Sequence, residues 1–157
     1  MHVEFQRSTD AAYFNRMTND PDISPFIRDD ATLGELDFSR VDMSTEDFLK
    51  VIVDGREAGF AILINVNGDL ELHSGLLPEF RGRTAIVIGR ELVKWVFWHT
   101  KVRRLTTWAW DTAKNVLFVA KAIGFKEADR VSWPNTVNGQ PVKQVHLEID
   151  LSNLKFA

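Results

Sequence analysis

Three dipeptides, Asp54-Gly55, Asn67-Gly68 and Asn138-Gly139, stand between runs rich in β-branched and aromatic residues. A two-residue hairpin turn of the favoured hand needs positive φ at both central positions, which Asp, Asn and Gly reach most cheaply. Each dipeptide therefore predicts a reversal between antiparallel strands. The first two predict a meander, with strands over 49–53, 58–66 and 69–77. The third predicts a hairpin between strands over 126–133 and 142–151.

Helical spacing interrupts this strand pattern twice. Ala85, Ile88, Gly89, Leu92 and Val96 fall on one face of a helix, with Arg90 and Lys94 off it. After a β-rich run over 104–110, Asp111 or Thr112 is placed to cap a helix that turns Val116, Val119, Ala120 and Ile123 inward and stops at Gly124. Strand, helix and strand at this spacing predict a parallel crossover between the strand near 73 and the strand near 107. Ser8-Thr9-Asp10 predicts a first helix carrying Tyr13, Phe14 and Met17, ended by Asn19-Asp20-Pro21, and Ser44-Thr45-Glu46-Asp47 has the pattern of another helix start. Residues 21–43 read as a long connection, of the kind that often carries function.

The 157 residues, 45% hydrophobic and 26% charged, suit a single domain over 1–157 with a core large enough to fold unaided. There is no cysteine, which excludes disulfides and thiol catalysis. No segment has the length or apolarity of a membrane span, and the first residues lack the apolar run of a signal peptide, so a cytoplasmic protein is expected. The net charge of -3 hides an asymmetry. Acids dominate from Asp20 to Asp47 and bases from Arg81 to Arg104, a division that suits a polyanionic ligand on one side and, unless the acids are only a solvated surface, a cationic one on the other. Lys101-Val102-Arg103-Arg104 is too short a basic run, on too acidic a chain, to indicate nucleic acid. His99 and His146 have no partners at metal-ligand spacing, so no metal is expected.

Between the third strand and the helix after it lies Leu76-Leu77-Pro78-Glu79-Phe80-Arg81-Gly82-Arg83-Thr84-Ala85. A strand feeding a tight basic loop and a helix start gathers unpaired N–H groups and the positive end of the helix dipole, a natural cradle for a phosphorylated ligand. Pro-x-x-Arg-Gly-Arg in this position, with Lys121-Ala122-Ile123-Gly124-Phe125 farther on, resembles the pyrophosphate loop and closing helix of the GNAT (GCN5-related N-acetyltransferase) acyltransferases over roughly residues 51–130. Where that loop commonly has its second and third glycines, this chain has Thr84 and Ile86. It is similar in this to variants encoded by tailed bacteriophages, in which small residues recur one turn apart, as Ala85 and Gly89 do.

The resemblance implies an α/β (α+β) fold with a mixed, mostly antiparallel sheet of about six or seven strands and about four helices. It implies acetyl-CoA as acyl donor, held at Arg81, Gly82, Arg83, Thr84 and Ala85, with the pantetheine arm paired to Leu76 and Leu77. It also implies an amine-bearing small molecule or protein as acceptor, shaped by 21–43. Asn115 stands two positions past the site where relatives carry an asparagine, and Ala120 replaces a tyrosine that often serves as acid. Gly75 fits either a bulge that parts the central strands or a packing relief.

Acyl transfer to an amine needs a base. Glu71 and His73 alternate on the third strand and so share a face near the expected reaction centre, and either suits the role. The aromatic stripes at Trp95, Phe97, Trp98 and Trp108 are expected to be core, while Trp110 and Trp133, at element ends, are placed to line an acceptor pocket. Loss of the tyrosine and of two glycines leaves an alternative, a catalytically inactive binding protein of the same fold that recognises a partner protein. Monomer and homodimer both stay open.

Overall fold

The computed structural model describes residues 1–130, 132 and 134–154. Among them a seven-stranded sheet is built from β1 (Val3–Arg7), β2 (Asp47–Val53), β3 (Arg56–Val66), β4 (Asp69–Leu76), β5 (Arg104–Trp110), β6 (Lys126–Glu127) and β9 (Gln144–Asp150). A separate ribbon holds β7 (Asn135–Val137) and β8 (Gln140–Val142). The sheet order is β1-β2-β3-β4-β5-β9-β6, antiparallel at every junction except β4 with β5. Three helices complete the fold: α1 (Ala11–Thr18), α2 (Arg83–His99) and α3 (Lys114–Ile123).

The turn chemistry behaves as expected. Asp54, Asn67 and Asn138 adopt φ of 50°, 53° and 51°, each followed by a glycine of positive φ. The parallel crossover from β4 through α2 to β5 is present, and Ala85, Ile88, Leu92, Val93 and Val96 of α2 are buried in the main core. A second, aromatic core of Tyr13, Phe14, Phe48 and Phe60 holds α1 to the sheet. The Tyr13 hydroxyl donates to the Gly59 carbonyl at 2.6 Å.

Several expectations give way. Strand β1 pairs with β2 although no local pattern announced it. Three helices form among the described residues, because Ser44–Asp47 does not start a fourth. Asp42 accepts from both the Ser44 N–H and the Ser44 hydroxyl, and Asp47 instead opens β2 opposite Leu63. The Asn138-Gly139 turn joins only the short ribbon β7–β8, while β9 inserts between β5 and β6. Asp111 does not cap α3. Its carboxylate accepts from Lys143 N–H and its own N–H donates to the Lys143 carbonyl, tying the end of β5 to β9's approach. On α3 itself, Leu117 and Ala120 are the buried positions and Val116 is exposed. Trp133 lies outside the described residues.

Candidate active site

The site begins where β4 leaves β5. Their ladder covers only Leu70↔Leu105 and Glu71↔Thr106. The next rungs are made by side chains: the Thr106 hydroxyl donates to the Leu70 carbonyl at 3.3 Å and the Thr107 hydroxyl to the Leu72 carbonyl at 3.0 Å. Beyond them the strands part around a cavity of about 630 Å³, walled by β4, β5, α2, α3 and the turn at 23–27.

Neighbouring residues of a strand point their backbone groups to opposite edges. Leu70 and Leu72 turn toward β5, so Ser74 presents its backbone groups to the opening and Leu76 its N–H, while the Leu76 carbonyl accepts from Arg81. Leu77 does not. Its N–H donates to the Ala58 carbonyl and its carbonyl accepts from Phe80 N–H. Gly75 is not a bulge, since the β3–β4 register runs unbroken through it. A Cβ there would lie 2.6 Å from Ile23 and 2.9 Å from Phe60, so the glycine makes room for packing.

The opening leads to the start of α2. Gly82 adopts φ 70°, ψ -132° and no side chain caps the helix. The first intrahelical bond runs from Ile86 N–H to the Gly82 carbonyl. The N–H groups of Arg83, Thr84 and Ala85 therefore have no partner within the helix, and they sit at its positive end. Thr84 and Ile86 are helical residues, a conformation that accommodates their Cβ atoms. Gly89 serves helix packing, because a Cβ there would lie 2.1 Å from Ile123 of α3.

Arg81 is a strut. Its guanidinium donates to the Leu76 carbonyl at 3.0 Å and the Asp22 carbonyl at 2.6 Å, and lies over the Phe26 ring. Among the basic residues from Arg81 to Arg104, Lys94, Arg103 and Arg104 are in ion pairs and Arg90 donates to the Ala122 carbonyl. Arg83 is exposed beside the bare helix start. Asn115 is exposed in the first turn of α3, at the rim of the cavity.

Glu71 and His73 meet as expected, with Glu71 Oε1 2.7 Å from His73 Nε2, each side chain about one-third exposed at 28% and 33%. Sequence reasoning missed a third group on this face. His146, on β9, is registered opposite Trp108 of β5. Burial, and then the Arg130 charge, push its pKa below the ordinary value, while the Glu71 carboxylate pulls it partly back. Trp108 and Trp110 pack edge to face at 4.7 Å, and Trp110, though buried, lines the cavity. Ala120 is buried where a phenolic acid was sought, and Tyr13 is occupied with Gly59.

Four carboxylates of the acidic stretch are structural. Asp29 accepts from Asn135 and Ala31, Asp30 from the N–H groups of Asn138 and Gly139, Asp37 from Ser39 and Asn15, and Asp42 from Ser44. These bonds hold the four carboxyls below their usual pKa. None of the four lines the cavity.

Solved structures share the fold. Spermidine N-acetyltransferase from Vibrio cholerae, in complex with CoA and spermine, superposes with a TM-score of 0.75 at 14% identity over 96% of this chain and 95% of its own. A GNAT-family acetyltransferase from Bacillus anthracis gives 0.67 at 14% identity over 98% and 100%. The fold is that of the GNAT acetyltransferases. Ribosomal-protein-S5-alanine acetyltransferase from Vibrio fischeri gives 0.72, again at 14%, over 98% and 94%. Neither the known family descriptions nor the curated proteins include a match to the sequence. No helix among the described residues is long and apolar enough to cross a membrane.

The residues present fit a CoA-type cofactor. A strand edge with backbone groups to offer at Ser74 and Leu76 runs toward three N–H groups that α2 cannot satisfy, and the space around the Gly82 Cα is open.

Proposed function

We propose that the chain is an N-acyltransferase that takes an acetyl group from acetyl-CoA and gives it to an amine. The observation that carries this reading is the parting of β4 from β5 directly above the Glu71–His73 pair. Acetyl-CoA supplies an acyl group activated as a thioester. Ser74 and Leu76 offer backbone partners to its amide-bearing arm. The amides of Arg83, Thr84 and Ala85, with the Arg83 charge, hold the diphosphate at the positive end of α2. Gly82 lets the chain turn into that helix, and Asn115 stands at the rim.

His73 is the base. The Glu71 carboxylate 2.7 Å from Nε2 favours the proton on that nitrogen, which leaves Nδ1 to accept a proton from the incoming ammonium. The amine that remains carries the lone pair acyl transfer requires. Glu71 then stabilises the imidazolium. The buried Ala120 has no proton to give the departing thiolate.

Release of free CoA in the presence of a panel of primary amines, followed with a thiol reagent, tests the reading. Glu71→Gln and His73→Gln are expected to lower kcat/KM by about 10²–10⁴ with the affinity for CoA retained. Turnover unchanged in both variants contradicts the assignment of the base. CoA binding without turnover on any amine favours the alternative, a recognition protein on the same fold.

A further inference from the structure

On the acyltransferase reading, the amine must reach His73 from the sheet face shared with Trp108 and His146. The cavity wall there is formed by Ile23, Phe26, Ile27, Phe60, Trp108 and Trp110. Among the described residues, no aspartate or glutamate lines the cavity at all, and the ionisable side chains that do are His73, Arg81 and Lys114. Of the acids of 20–47, which sequence alone placed on the acceptor side, Asp30, Asp37 and Asp42 are spent on turns, and none of these acids lines the cavity. Glu71, behind His73, can compensate one positive charge and no more.

An ammonium taken from water into an apolar wall with no counter-charge carries a large desolvation cost. The reacting amine escapes it by losing its proton to His73. A second or third ammonium on the same molecule has no such release and finds no carboxylate among the residues lining the cavity. We propose that the acceptor carries a single amino group on an apolar or aromatic body, and that polyamines are poor acceptors here although a protein of this fold binds spermine. The Ile27 position, half-buried at the end of the 23–27 turn, is a specificity-determining one.

Binding decides this without reliance on turnover. 2-Phenylethylamine and spermidine are titrated into the protein by calorimetry and by tryptophan fluorescence, with and without CoA, and Ile27→Glu is titrated alongside. The wild type is expected to bind 2-phenylethylamine at least about tenfold more tightly than spermidine, with a change in indole emission. Ile27→Glu is expected to move that ratio about tenfold toward spermidine. Spermidine bound as tightly as 2-phenylethylamine, or neither amine bound, overturns the proposal. So does a ratio that Ile27→Glu leaves unmoved in a protein whose unfolding midpoint shows it folded. Should the variant not fold, the wild-type ratio alone decides. Discrimination between the amines without CoA binding or acetyl transfer overturns the acyltransferase reading and leaves the proposed amine selectivity standing.

Discussion

The two edges of β4 are built for opposite ends. On its β3 side the strand is zipped over eight residue pairs, from Gly59↔Leu76 to Val66↔Asp69. On its β5 side it is joined over two, and two threonine hydroxyls finish the junction before the strands part. The first edge is reinforced from outside, since the buried Tyr13 holds the Gly59 carbonyl. The second hands its backbone groups to the opening. One strand thus anchors the sheet with one edge and has the other available for a ligand, so substitutions on the two sides separate stability from binding.

The largest effect is expected at Gly59, on the zipped edge. A Cβ there would lie 2.0 Å from the Gly75 carbonyl oxygen and 3.0 Å from the Leu76 Cα, both backbone atoms that cannot rotate aside. Gly59→Ala should cost about 3 kcal/mol or more in urea unfolding. A cost below about 1 kcal/mol would show that the β3–β4 pair is looser than its register implies.

Tyr13→Phe removes the hydroxyl and leaves the Gly59 carbonyl short of a donor, at a cost of about 1–2 kcal/mol. It also removes a pH dependence. Burial, and then the Glu57 charge, raise the Tyr13 pKa from 10.0 to about 12. The folded chain therefore keeps this proton to higher pH than the unfolded chain does, and stability falls as pH rises from about 10 through about 12. Unfolding midpoints across that window should slope downward in the wild type and lose this contribution in Tyr13→Phe.

Thr107→Val, at the junction of the open edge, strips the Leu72 carbonyl of its donor with little change in shape. A loss of about 1 kcal/mol in stability is expected, together with a few-fold weaker affinity for CoA as the apex of the opening loosens. An unchanged unfolding midpoint would mean that the hydroxyl does not close the junction.

Much of this frame is legible residue by residue. Asp54-Gly55 and Asn67-Gly68 announce the meander because their positive φ values are local requirements, and the buried face of α2 is local periodicity. Glu71 and His73 share a face because strands alternate. What escaped depends on partners distant in the chain. The place of β9 between β5 and β6, and with it His146, is set by pairing across the whole sheet. The carboxylates at Asp29 and Asp30 look like an acceptor-side charge until the ribbon at 135–142 arrives to use them. Arg81 reads as an anion ligand until its side chain is seen spanning from Leu76 to Asp22.

The central claim is that the opening between β4 and β5 and the bare start of α2 together receive a CoA-type ligand. Calorimetric titration of CoA into the wild type and into Arg83→Glu tests it most directly. The account predicts one CoA bound per chain, with affinity at least about tenfold lower once the charge beside the helix start is reversed. No heat of binding at millimolar CoA, or equal affinity in the two proteins, would contradict it.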